Sequence, residues 1–425
     1  MGYVYPHFHK PANSFFSTFF MSATTSISTL LRRCRAAKSY AWSVGPAAAF
    51  SLQPALVRAQ AVSYAAPIVI TQGGTYTGSY RSSSSSVPCV RIATTEPVIL
   101  EGCQLEGPGN LIEAGPGADL TVRNCRGQGL VPTADNQAPG RFLDAFQAQR
   151  LVVEHNYFAQ TSGIVVNRWS GPGQPAQTLR VRFNQVRNVD GRWRNNGGST
   201  RSSFLLLNTV RHLAGAEVAY NEVLNTPDQS LVEDNINLYN SSGTPQSPLR
   251  VHDNFVRGAY PFPATAPAFT GSGMTTDGDE PTAAGAASYI EASYNQFIST
   301  GNAGLNLAAG HDVSYHHNRI ITSGTLPDGR RFNAGWAGLG VFNYYNQPPG
   351  VFGNNRVENN TVGYVTWGAR APFADRQDLS PGHCVPCAAT EHLPGPVTPA
   401  SEDAEWQLWQ QKLAQQGIKV GPEGG

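Results

Sequence analysis

The chain has 425 residues, of which 14% are charged, and a formal net charge of +1. That balance gives a nucleic-acid partner no electrostatic support. The 44 Gly and 30 Pro suit many turns and few exposed helices.

Residues 1–61 stand apart from the rest. "LLRRCRAAK" (30–38) is basic, "AWSVGPAAAFSLQPALV" (41–57) is mostly apolar, and "RAQA" (58–61) puts Ala59 and Ala61 where a signal peptidase requires small residues. The segment reads as a secretory signal removed near Ala61, with Met21 as an alternative start. The competing reading is an N-terminal extension, because Gly45, Pro46, Gln53 and Pro54 interrupt the apolar run. Nothing else in the chain approaches the ~20 apolar residues of a membrane-spanning helix. Export would place the protein in the periplasm or outside the cell.

From residue 62 onward one line is written again and again. "LVVEHNYF" (151–158), "LRVRFNQV" (179–186), "AEVAYNEV" (216–223), "LRVHDNFV" (249–256), "IEASYNQF" (290–297), "VSYHHNRI" (313–320) and "VFGNNRV" (351–357) share one shape, and "LTVRNCRG" (120–127) is a shorter version. Their asparagines, at 124, 156, 184, 221, 254, 295, 318 and 355, are 23 to 41 residues apart. Such periods mark a repeat architecture in which each unit buries its apolar face by stacking on its neighbours. Alternation with period two and enrichment in Val, Tyr and Phe make the units strands. Unequal gaps mean coils of fixed core with loops of varying length. The asparagines are expected at one turn, bonded to the backbone and to one another, in a conformation that tolerates the left-handed region.

Among the six cysteines, Cys103 and Cys125 occupy similar places in consecutive short units. Adjacent strands, about 4.8 Å apart, lie within reach of a disulfide. A stacked pair of free thiols is the competing reading. Cys384 and Cys387 in "HCVPC" are candidates for a local disulfide, with zinc binding helped by His383 or His392 as the alternative. Residues 366–400 are Pro- and Ala-rich. "SEDAEWQLWQQKLAQQG" (401–417) then reads as a helix with a Ser cap, whose Trp406, Trp409 and Leu413 form one apolar stripe for docking on the side or last coil.

On these repeats the chain resembles the pectate-lyase-like superfamily of right-handed parallel β-helices, over roughly residues 67–365. "GTYTGSYRSSSSSVPCVRIATTEPVILEGC" and "VEDNINLYNSSGT" (232–244) are similar to secreted bacterial β-helix proteins of undefined role. The resemblance implies an all-β solenoid, taken here as residues 62–365, followed by a C-terminal loop and helix (366–425). It also implies a polysaccharide partner, and a monomer is favoured.

In such solenoids a glycan lies along one outward sheet face. Aligning the inward apolar residues of successive strands stacks Asn167, Asn208, Tyr239, Asp277, Ala308 and Phe342 in one outward row. Arg168, Thr209, Asn240, Gly278, Ala309 and Asn343 form the next, and Asn237 and Asn306 sit two places earlier. Amides bond hydroxyls, aromatic rings stack on sugars, and Arg grips acidic groups bidentately. Asn167, Arg168, Asn208, Asn237, Tyr239, Asn240, Asn306, Asn343 and Tyr344 are therefore candidate substrate contacts. Glu233, Asp234, Asp277, Asp279 and Glu280 concentrate acids near the middle of the face. Asp277, Asp234 and the neighbouring His311 are the candidate catalytic groups, and Asp277 with Asp279 could hold one calcium ion. The competing view makes "TTDGDEP" a surface turn and His311-Asp312 its punctuation.

The chain departs from the known catalytic patterns of the superfamily. The polygalacturonase series of paired Asp residues and the D-P-H-D signature of alginate epimerases are absent, and no Lys lies between Lys38 and Lys412. A lysine-based lyase is thereby excluded. An Arg- or His-based lyase, an atypical hydrolase acting on an acidic or acetylated glycan, and a non-catalytic glycan-binding or envelope protein remain open.

Overall fold

A computed structural model describes residues 62–267, 271–368, 373–380, 384 and 386–423. The signal-peptide expectation falls on residues outside these.

Short strands follow one another in the order first sheet, second sheet, third sheet, then begin again one coil further on. This makes three wholly parallel sheets of 10, 11 and 11 strands. The coils form a right-handed parallel β-helix, the hand that parallel crossovers take because strands twist rightward. Strands of the first sheet include Gly163–Trp169, Ser203–Asn208, Asp234–Tyr239, Ser272–Asp277, Ala303–Leu307 and Ala337–Val341. Their inward residues, such as Leu205, Ile236, Met274, Leu305 and Leu339, stack in register and are fully buried. One apolar core runs the length of the solenoid.

The asparagine ladder stands at the corner between the second and third sheets and consists of Asn156, Asn184, Asn221, Asn254, Asn295, Asn318 and Asn360, all fully buried. From Asn184 onward each Oδ1 accepts the backbone N–H and the Nδ2–H of the rung before. Asn221 Oδ1, for example, takes them from Asn184 at 3.1 and 2.9 Å. Its own Nδ2 donates to Val181 O at 2.8 Å and to Asn254 Oδ1 at 2.9 Å.

Two expected rungs are displaced. Asn124 is left-handed at φ 54° and points outward to Glu101. The rung belongs to the following residue, Cys125, whose N–H donates to Asn156 Oδ1 at 2.9 Å. Asn355 instead bonds Val313 N and Gly310 O, and Asn360 takes the ladder position. Nor are the rungs themselves left-handed. The residue before each one is: His155, Phe183, Tyr220, Asp253, Tyr294, His317 and Asn359 have φ between 51° and 57°.

Cys103 continues the ladder as a second thiol, its N–H donating to Cys125 Sγ at 3.4 Å. Both cysteines are free and buried, so the disulfide considered for them is not formed. They fill rungs with sulfur where later coils use an amide. Cys384 and Cys387 are joined to each other, and His392 bonds Asp378 at 2.7 Å, so no zinc ligand set forms there among the described residues; His383 lies outside them.

The helix spans Pro399–Gln416 and starts three residues earlier than a Ser401 cap implies. Thr398 is its N-cap, and Gly417, at φ 65°, ends it. It docks on the outer face of the third sheet, not on the last coil. Trp409 and Leu413 cover Phe255, Ile298, Ile321 and Val365. Two buried carboxylates fix its rotation. Glu405 takes Arg319 Nε and Nη2 at 2.8 and 2.7 Å. Glu402 takes Ser299 Oγ and Ser323 N, each at 2.7 Å. The last first-sheet strand is covered by Gln377–Ser380, with Leu339 N donating to Asp378 O at 2.9 Å. Among the described residues no helix is long and apolar enough to cross a membrane.

Candidate functional site

The outward rows follow from strand register. Phe146, Asn167, Asn208, Tyr239 and Asp277 are successive partners across five coils. Leu206, Asn237, Thr275, Asn306 and Gly340 form the row two residues earlier. Arg168, near the end of its strand, and Thr209 and Asn240, just past theirs, are left-handed at φ 60°, 59° and 48° and turn the chain toward the second sheet.

At the centre of this face lie two carboxyls. Asn237 Nδ2 donates to Asp234 Oδ2 at 2.9 Å and reaches Asp277 Oδ2 at 3.4 Å, so one amide links both. Asp234 also accepts from Thr275 Oγ1 at 3.1 Å. Asp277 accepts from Tyr345 Oη at 2.7 Å and from Gly278 N at 2.9 Å. Gly278 has φ 140°, and a Cβ there would strike Asn240 Oδ1 at 2.0 Å, so the close turn requires glycine.

Burial pushes the Asp277 carboxyl above its ordinary range. The Tyr345 hydrogen bond works against that shift, and the charge of Asp234 adds to it. Burial, followed by the neighbouring aspartates, drives the phenols of Tyr239 and Tyr345 far above their usual range. They are hydrogen-bond donors here, not bases.

Two acceptors on this face have no protein partner. Asn237 Oδ1 and Asn306 Oδ1 are buried and unpaired, and Asn306 is only 6% exposed. Beyond Asn306 the face becomes aromatic. The Trp336 ring lies over Gly340, where a Cβ would meet it at 2.4 Å, and packs edge-on to Phe342 at 4.9 Å. Tyr344, 57% exposed, continues the wall onto Tyr345.

Asp234, Asn237, Tyr239, Asp277 and Asn306 thus come together, with Asn208, Asn167 and Arg168 on the coils before them. Several other candidates hold the protein's own turns. Asn240 binds Asp279 Oδ1 and Glu280 N, and Asn343 closes a loop with Gln347. His311 begins a strand of the second sheet, around the corner from Asp277. Its Nδ1 meets Asp312 Oδ2 at 2.6 Å and its Nε2 meets Ala283 O at 3.0 Å. Both neighbours are protein oxygens, and His311 stands on the second sheet, apart from the carboxyls of the first. Asp279 turns to Asn240 and Tyr239, away from the partners of Asp277. Among the described residues no group of three or more His, Cys, Asp or Glu is placed to hold a metal.

Tyr345 and Thr275 were missed as site residues. Thr275 follows from period two once Asn237 is placed. Tyr345 comes from a loop 68 residues beyond Asp277, and nothing in its local sequence signals the return.

No family model and no curated protein matches the chain. Among solved structures it is similar to a chain described as a mannuronic acid specific polysaccharide family 6 lyase from human gut microbiota. That likeness has 12% identity and a TM-score of 0.29, and covers 84% of this chain and 91% of the other.

Proposed function

We propose that the protein is exported and lays a polysaccharide across the outer face of the first sheet, where Asp277 and Asp234 hydrolyse a glycosidic bond. The observation that carries this reading is one amide bridging a second carboxyl and a carboxyl pushed upward by burial, beside the unpaired acceptors of Asn237 and Asn306. Asp277, held protonated more readily than an ordinary carboxyl, supplies the proton to the leaving oxygen. Asp234 is the second carboxyl, acting on the sugar or on water. The unpaired amide oxygens accept sugar hydroxyls, and Trp336, Phe342 and Tyr344 give ring faces for stacking.

A lyase needs a base, and a cation over the uronate carboxylate. The nearby guanidinium groups of Arg211 and Arg201 are matched with Glu280 and Glu233, and the phenols remain protonated. A second reading, glycan binding without cleavage, is favoured by one feature: the oxygens of Asp234 and Asp277 are already engaged by protein donors.

A polysaccharide panel assayed for reducing ends and for unsaturated uronate absorbance separates these readings. Reducing ends alone are expected. Both signals would indicate a lyase, and binding with neither signal would indicate the binding class. For export, mass spectrometry of the protein from its native host should show residues 1–61 missing; an intact N-terminus would reject that part of the proposal.

A further inference from the structure

The second-sheet strand His311–His316 ends at the corner of the asparagine ladder. His316 holds an outward position there, in register with Ser293 and Glu358. Asn318 is the buried rung, and His317 between them is exposed and left-handed at φ 56°. Successive side chains of a regular strand point to opposite faces. The left-handed corner instead swings the second histidine round to the side of the first. His252 and Asp253, at the same corner of an earlier coil, meet in the same way, Nδ1 to Oδ2 at 2.9 Å, and Lys412 of the helix takes that carboxylate at 3.0 Å. Among the described residues, the coil of His316 is the one that places two imidazoles at this corner.

The two Nδ1 atoms stand 2.9 Å apart, with the rings nearly perpendicular at 89°. In a neutral pair one Nδ1 carries a proton and the other accepts it. The same separation suits a metal ion. Imidazole nitrogens bind transition metals at about 2.0–2.1 Å, so two at a right angle lie about 2.9 Å apart, and two at the tetrahedral angle roughly 3.4 Å. The observed spacing is the right-angled one, which belongs to tetragonal Cu(II) and Ni(II). Neighbours orient both rings. Tyr294 stacks on His317 at 5.1 Å. Glu291 Oε1 lies 3.7 Å from His316 Nε2, on the side from which an acceptor fixes the tautomer of a ligating imidazole.

From this geometry we infer that His316 and His317 form a surface site for a divalent transition ion of tetragonal preference, Cu(II) or Ni(II). The two Nδ1 atoms take cis positions on the ion, water fills the remaining ones, and the proton shared between the rings passes to solvent. The protein supplies two nitrogens and no carboxylate. Glu358, the neighbour of His316 on the next coil, is held by Arg356 at 2.7 Å. The site lies at the far edge of the second sheet from the carboxyls of the first, so it stands or falls apart from the glycan reading.

The test is calorimetric titration of the untagged full-length chain with copper(II), nickel(II) and zinc(II) chloride, with electron paramagnetic resonance of the Cu(II) form. The wild type should bind one Cu(II) more than the double variant His316→Gln/His317→Gln, and that ion should show coupling to two imidazole nitrogens. Each single variant should weaken Cu(II) and Ni(II) at least tenfold and reduce the coupling to one nitrogen. Circular dichroism melts without metal should be unchanged, because His317 is exposed and Gln keeps a polar group at both positions. Equal Cu(II) binding by the wild type and the double variant would overturn the inference, whether no ion binds or one binds elsewhere in the chain. Dependence on one histidine alone would overturn it too. So would Zn(II) bound more tightly than Ni(II), which would mark a tetrahedral site.

Discussion

A left-handed non-glycine residue costs about 1–2 kcal/mol, yet one stands before each Asn rung of the ladder. Stacking offsets part of that cost, as between His155 and Phe183 at 4.8 Å and between Tyr294 and His317 at 5.1 Å. The rung supplies more, because each buried amide satisfies its own groups and two backbone groups. Asn221→Ala strips partners from Asn184 N and Val181 O and should cost about 3 kcal/mol in urea unfolding, the penalty of orphaned buried groups. Cys125→Asn is the counterpart. Cys125 Sγ already faces Leu100 O at 3.5 Å, the backbone position an amide would bond, so this variant should be neutral or stabilising. A loss above ~1 kcal/mol would show that the thiol rung is not equivalent to the amide rung. The ladder was legible where one Asn follows an apolar strand. It was misread at "VRNCRG" and near "NNRVENN", because Asn suits both the left-handed position and the rung.

At the scale of elements, the helix and the loop carrying Tyr345 are the pieces that short-range pattern does not place. The stripe of Trp406, Trp409 and Leu413 announces a docked helix. Which surface it covers is decided by Phe255, Ile298 and Ile321, outward residues on strands that alternation alone would leave in solvent. Trp409, fully buried, should cost about 4 kcal/mol on replacement by Ala, read as a lowered urea midpoint by circular dichroism. An unchanged midpoint would mean that the helix is not part of the cooperative fold. The Tyr345 loop tunes the site. Its phenol donates to Asp277 and favours the charged carboxyl, so Tyr345→Phe should raise the Asp277 pKa further. Activity that needs Asp277 protonated is present below that pKa and lost above it. The basic limb of the pH–rate profile should therefore move upward in the variant; a downward move would reject Asp277 as the acid.

For the whole molecule, the architecture was readable because a solenoid repeats its instructions. Period two fixes which side chains face out, and the interval between repeats fixes which of them become neighbours, as the row from Asn167 to Asp277 illustrates. What the period cannot give is where a long loop returns or how a corner aims a ring, and this is why Tyr345 was missed and His311 misplaced. The most direct measurement of the central claim is reducing-end release from a polysaccharide that the protein binds, comparing the wild type with Asp277→Asn. The carboxyl-pair account predicts release by the wild type without unsaturated uronates, and a fall of orders of magnitude in turnover for the variant at unchanged affinity and melting temperature. Unsaturated products, or a variant as active as the wild type, would contradict it.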